Sequence, residues 1–185
     1  MQTTEYLTTV IQELQGMIPQ IAETDAEQLV HSISDTSKVF VAGAGRSGLM
    51  GKALVMRMMH MGIDAYIIGE TVTANLEKDD LLIIGSGSGE TETLVAIANK
   101  ARRLGGKVAV ITTKPDSTLG QLADLTIQLP GVAKDQTADA QQTIQPMGSL
   151  FEQTLLLFFD AVILRYMELN HLDSAKMYGK HANLE

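Results

Sequence analysis

The sequence predicts an α/β fold: a three-layer sandwich around a five-stranded parallel sheet, of flavodoxin-like type. Three observations carry that expectation. Five short apolar runs, Lys38–Gly43, Asp64–Gly69, Asp80–Ser86, Lys107–Thr113 and Asp124–Pro130, are rich in Val and Ile and end in Gly, Ser, Thr or Pro. Longer helix-compatible stretches alternate with them. The runs are apolar almost throughout rather than at every second residue, which suits parallel strands covered on both faces and joined by right-handed crossovers.

The elements follow in order. Two helices are expected first, Thr3 to Met17 and Asp25 to Thr36, parted by Pro19, with Thr24 or Asp25 capping the second through a short side-chain acceptor. Further helices are expected over Ser47–Met61, Thr91–Leu104 and, briefly, Ser117–Leu122. The polar stretch Pro130–Gln145 reads as a loop or lid. Pro146 opens a long helix running to about Leu169, since proline is tolerated in a first turn. That helix is apolar nearly all round, as a helix buried in a fold or an interface should be. The whole chain, residues 1–185, reads as one domain without repeats or low-complexity tracts.

Composition narrows the function. A chain of 185 residues can bury a substantial core unaided. It has no cysteine, which removes disulfides and thiolate metal sites and fits a reducing compartment. A formal charge of −8 without a basic run argues against nucleic acid as a partner. The N-terminus lacks a cationic segment ahead of an apolar one. The longest apolar stretch, Leu155–Leu164, is interrupted by Asp160 and too short for a membrane span. A cytoplasmic protein is expected.

Two glycine-rich turns carry the functional signal. Gly43, Gly45 and Gly48 form G-x-G-x-x-G between an apolar run and a helix, which suggests a dinucleotide turn with Glu70 placed for a ribose. Two helices precede the pattern, however, and the chain has no room for a separate substrate domain. The second turn, Gly85–Leu94, offers hydroxyls from Ser86, Ser88 and Thr91, while Gly87 and Gly89 let backbone N–H groups approach a ligand closely. The helix starting near Thr91 adds its positive end. This is a cradle for one phosphate monoester, and no lysine stands at a Walker position. Glu90 belongs to the turn, but a carboxylate beside a phosphate repels it, so its side chain is expected to point away.

Here the residues carry a resemblance. "GAGRSG" followed by "SGSGET" resembles the paired signature of SIS domains, the sugar isomerase fold. More narrowly, "GETVTANLEKDDLLIIGSGSGETETL", "QPMGSLFEQTLLLFFD" and the terminal "HANLE" resemble the 6-phospho-3-hexuloisomerase family over nearly the whole chain. The chain departs from the family at Thr73–Leu76 and Lys78–Asp80, where altered loop packing is expected more than altered chemistry.

The resemblance implies interconversion of D-arabino-hex-3-ulose 6-phosphate and D-fructose 6-phosphate through a 2,3-cis-enediol, without metal or cofactor. Ser86, Gly87, Ser88, Gly89, Glu90 and Thr91, with Ser47 from the first turn, would form the substrate-binding set, and Arg46 and Lys52 are nearby cations. Glu152 would be the base: it heads an apolar stripe through Leu155, Leu156, Phe159 and Ile163, where desolvation strengthens a carboxylate base and the helix N-terminus works against it. His181, in the matching terminus, would shuttle protons or assist ring opening, in its own or a neighbour's site. His60, in a Met-rich stripe, is expected in core or interface. A homotetramer is implied, with possible functional coupling to hexulose-phosphate synthase in the ribulose monophosphate route of formaldehyde assimilation or detoxification. The alternatives are another aldose–ketose phosphate isomerase of the SIS type, or a non-catalytic sugar-phosphate sensing module.

Overall fold

The computed structural model describes residues 2–131 and 143–181. Helix α1 spans Thr3–Met17 and α2 Glu23–Ser34, with a single 3-10 turn, Ile18–Gln20, at Pro19 between them. Strand β1 (Val39–Gly43) leads into α3 (Gly45–Met61) and then the short β2 (Ala65–Ile67). The chain continues through β3 (Leu81–Gly85), α4 (Glu92–Arg103), β4 (Lys107–Thr112), α5 (Thr118–Leu122) and β5 (Leu125–Gln128). Helix α6 (Ser149–Leu169) and a short α7 (Ser174–Tyr178) follow.

All five strands are parallel, in the order β2-β1-β3-β4-β5. Alternation along each strand divides two cores. Val39, Val41, Leu81, Ile83, Ala109 and Ile111 face α2, α3 and α6, while Phe40, Ala42, Leu82, Ile84, Val108 and Val110 face α4 and α5. This is the three-layer arrangement expected, and it explains why the strands are apolar throughout: both faces are covered. The connection from β1 to β2 runs one way along the sheet and that from β3 to β4 the other. The crevice this leaves lies at the carboxyl ends of β1 and β3, where ligands of open α/β sheets bind.

Three local details differ from expectation. Helix α2 starts at Glu23, after Ala22, and has no side-chain cap; Thr24 and Asp25 lie inside its first turn, where Glu23 and Asp25 complement the helix dipole instead. Helix α6 starts at Ser149 and not at Pro146, because Met147 has φ +56°, a left-handed conformation that a right-handed helix cannot contain. Helix α7, Ser174–Tyr178, is an additional short helix beyond those expected from the sequence. Of the expected loop or lid, residues 132–142 lie outside the described residues.

The glycines of the first turn have a packing reason. A Cβ on Gly43 would stand 2.9 Å from both Cα and N of Gly48, and one on Gly48 would stand 2.6 Å from the Gly43 carbonyl oxygen. Gly51 similarly admits Val41. The pattern lets α3 lie directly on β1, which accounts for its spacing without a dinucleotide. The Thr73–Asp80 segment sits at the opposite, amino end of β3. There Lys38 Nζ bonds the Asn75 carbonyl and the Glu77 carboxylate, and lies 3.3 Å from buried Asp80.

Candidate active site

A cleft of about 380 Å³ opens where β1, β3 and α6 converge. Its lining includes Ser47, Ser86, Gly87, Ser88, Glu90, Thr91 and Glu152, drawn from three separated parts of the chain. Register explains the meeting of the two turns: Gly43 pairs with Gly85, so both strands end at one level and release their turns side by side. A larger hollow of about 660 Å³ lies between α1, α2 and α6, but its walls are mostly aliphatic. The smaller, polar cleft is where hydroxyls, helix N-termini and a carboxylate converge, and it is the candidate site.

The second glycine-rich turn, Ser86–Thr91, is braced from behind. Ser86 Oγ accepts from the Gly89 N–H at 3.2 Å, and Ser88 Oγ accepts from that of Glu90 at 3.3 Å. The Gly87 carbonyl receives the hydroxyls of Thr112 and Thr113, at 3.2 and 2.8 Å. Gly89 has φ +67° and lies against Ser117, with its carbonyl accepting from Leu119 N–H at 3.0 Å. Gly89 does not line the cleft; it makes the turn that does. Thr91 takes the N-cap position of α4 with its side chain making no cap bond.

Glu90 behaves as its charge demands. Its carboxylate turns to α5, accepting from the Thr118 N–H at 2.8 Å and the Thr118 hydroxyl at 2.7 Å. These bonds, the backbone one first, hold the exposed Glu90 carboxyl below the usual carboxylate range. Glu90 thus ties this turn to α5 and is also among the residues that line the cleft.

Glu152 occupies the first turn of α6 with its side chain only 2% exposed. Its partner is one that local sequence did not reveal. Arg46, in the first turn of α3, approaches Glu152 Oε2 at 3.1 Å through Nη1, which also donates to Ser149 Oγ at 2.7 Å. Ser149 and Glu152 are three residues apart and share a face of α6, so one guanidinium spans both. Half of Arg46 remains exposed, leaving donors for a ligand. The pair needs two helices brought together by the sheet; Arg46 was readable as a nearby cation and nothing more. Lys52 instead bonds Glu70 on the surface, away from the lining residues.

His181 lies elsewhere in its own chain. Its ring stacks on His60, centroids 5.2 Å apart, and on Tyr178 at 6.2 Å. His60 ends α3 while Ser47 begins it, and 13 residues of helix separate them by about 20 Å. Of the two placements the sequence left open, its own site or a neighbour's, the ring's position at the far end of α3 sets it apart from the cleft of its own chain. His60 is buried, as its Met-rich surroundings suggested. Residues 182–185 of the terminal block lie outside the described residues. Among the described residues no group of three or more His, Cys, Asp or Glu could hold a metal ion, and no helix is long and apolar enough to cross a membrane.

The SIS domain model matches residues 32–157, the sheet, both turns and the first half of α6. The 3-hexulose-6-phosphate isomerase of Bacillus subtilis is 54% identical over 185 residues, covering all of both chains. That of Mycobacterium gastri is 38% identical over 167 residues, covering 89% of this chain and 83% of the other. A crystal structure of a Methanococcus jannaschii protein, for which a 3-hexulose-6-phosphate isomerase function was inferred, superposes with a TM-score of 0.84 at 34% identity, covering 98% of this chain and 99% of that one. The chain belongs to the SIS domain family and, within it, to the 3-hexulose-6-phosphate isomerases.

Proposed function

We propose that this chain interconverts D-arabino-hex-3-ulose 6-phosphate and D-fructose 6-phosphate, with Glu152 as the base. The observation that carries this reading is a buried carboxylate, Glu152, facing a phosphate-sized cradle across one cleft. The substrate phosphate sits on the turn Ser86–Thr91 with Ser47 beside it, met by backbone N–H groups and the N-terminus of α4. Binding energy from this non-reacting group holds C2 and C3 at Glu152.

In the direction of fructose 6-phosphate, the Glu152 carboxylate removes the proton on C2. The C2–H electron pair becomes the C2–C3 double bond, and the C3 carbonyl π electrons move to its oxygen, giving an enediolate. The hydroxyl proton on O2 passes to O3. The electrons then return to form the C2 carbonyl, and Glu152 delivers its proton to C3. Arg46, at the mouth of the same carboxylate, is placed to stabilise negative charge developing on O2 and O3. No redox cofactor enters this balance. His181, given its distance from Glu152 of the same chain, would act from a neighbouring subunit, moving protons among hydroxyls or assisting opening of the fructose ring.

The reading extends to the assembly. Leu7, Ile11, Leu157 and Leu164 are more than half exposed on α1 and α6, more apolar surface than a solitary subunit of this size ordinarily shows. They support a homotetramer with sites near subunit boundaries. The cellular role that fits is the ribulose monophosphate route of formaldehyde assimilation or detoxification, in the cytoplasm, downstream of hexulose-phosphate synthase.

The test is NMR of fructose 6-phosphate incubated with the protein in D2O, repeated with Glu152→Gln. Deuterium at C3, or signals of the 3-ketose, with loss of both in the variant, is the expected result. Deuterium at C1 would reassign the chain to aldose–ketose isomerisation. Binding without exchange would make it a sensing module.

A further inference from the structure

We propose that Glu13, on α1, is a positioning residue for Glu152: it clamps the segment that feeds α6 and so fixes where the base stands. This rests on Glu152 being the base. The clamp is built from three donors on three consecutive residues. Glu13 Oε2 accepts from the Thr143 hydroxyl at 2.6 Å and from Gln145 Nε2 at 2.8 Å, and Oε1 accepts from the Ile144 N–H at 2.8 Å. Thr143 Oγ1 accepts in turn from the Gln145 N–H at 3.1 Å. The far side is closed by α6 itself, where Gln153 Nε2 donates to Gln145 Oε1 at 2.7 Å. Gln145 is buried, held between a carboxylate from α1 and the residue next to Glu152.

The geometry says why the clamp reaches the chemistry. Only Pro146, Met147 and Gly148 separate Gln145 from α6, and Met147 is in the left-handed region. A non-glycine residue there is kept by its surroundings and not by its own preference. Released from Glu13, this entry segment is free to relax, and α6 starts with a different phase or tilt. Ser149 and Glu152 are in its first turn, so their distances to Arg46 change first. The phosphate turn rests on β3, β4 and α5 and shares no bond with Glu13. Loss of the clamp should therefore move the base relative to a substrate that still binds.

The experiment is steady-state kinetics with fructose 6-phosphate, together with thermal unfolding, for the full chain and for Glu13→Ala and Glu13→Gln. The expected result for Glu13→Ala is a fall in kcat on the order of 10- to 100-fold, the scale of a misplacement of about 1 Å, with KM little changed. Glu13→Gln retains an acceptor oxygen for one or two of the three donors and should recover part of the kcat. That intermediate rank also serves if the alanine variant folds poorly. A lowered melting temperature with unchanged kcat in both variants would make Glu13 a brace of the fold alone and overturn the proposal. So would a rise confined to KM. An inactive parent chain would instead refute the isomerase reading, which is a separate result from an active parent with indifferent variants.

Discussion

Gly89→Ala tests the construction of the Ser86–Thr91 turn most directly. Alanine at φ +67° costs about 1–2 kcal/mol, because its Cβ crowds the following carbonyl. The new Cβ would also stand 1.9 Å from Ser117 Oγ and 2.5 Å from Ser117 Cβ. Rotating the hydroxyl relieves the first clash but not the second, since Ser117 Cβ moves only with its backbone. That hydroxyl is also the N-cap of α5, accepting from the Gly120 N–H, and losing a serine cap costs about 1 kcal/mol. Together the penalties reach about 2–3 kcal/mol, which lowers the melting temperature of a chain this size by roughly 5–10 °C. The parting of the two loops also withdraws Gly89 N–H from Ser86 Oγ, so KM for fructose 6-phosphate rises. Gly87→Ala is the control. Its Cβ meets Phe151 at 3.2 Å, a looser approach than either Ser117 contact at Gly89, and its φ is not in the left-handed region, so it should cost less stability than Gly89→Ala while raising KM by filling the cradle. Thermal unfolding and kinetics on both variants decide the matter. A melting temperature for Gly89→Ala within about 2 °C of the parent, or equal stability losses at both glycines, would refute this account of the turn.

Further expectations concern the far end of α3 and the apolar faces. Burial, then the charges of His181 and Arg57, lower the pKa of His60 from its ordinary value near 6.5. The unfolded chain therefore binds this proton more readily, and the stability His60 contributes is complete above about 6.5 and lost as pH falls below it. His181 and Tyr178 face this site from the C-terminal segment, and Arg57 from α3 itself. His60→Phe, which keeps a ring against His181, should show a smaller drop in melting temperature between pH 7.5 and 5.5; an unchanged drop would contradict this. A double variant, Ile11→Glu with Leu157→Glu, should reduce the particle mass measured by light scattering, and an unaltered mass would remove these residues from any subunit contact.

The strands were legible because their signal is local. Val39–Val41, Leu81–Ile84 and Val108–Ile111 are apolar on both faces, and that follows from a sheet covered twice. Ser86 and Ser88 were legible for the same reason: a strand end, two glycines and a helix start lie within ten residues. The supports of that turn were not. Thr112 and Thr113 reach Gly87 because β4 pairs with β3, Thr118 reaches Glu90 from the start of α5, and none of the three carries a mark of that purpose in the sequence. The Arg46–Glu152 pair likewise joins residues more than a hundred positions apart. The start of α6 was misplaced because Pro146 signals a first turn by propensity, whereas the left-handed Met147 is imposed by contacts around it. His181 is a different case: the terminal block suggests a site without saying whose, and the fold sets the ring at the other end of α3 from its own chain's cleft.

The pairing of Gly43 with Gly85 has a consequence for how the molecule comes into being. The two turns of the cleft are spatial neighbours, yet some forty residues of chain, including α3 and the edge strand β2, lie between them. Closing so long a loop is slow compared with forming any one helix. The cradle therefore does not exist in a chain that has only its helices and hairpin-range contacts. It arises when β3 docks beside β1, the same event that completes the middle of the sheet. The cleft in which the substrate phosphate is proposed to sit thus forms only with the long-range structure, and a chain whose β3 has not docked beside β1 lacks it.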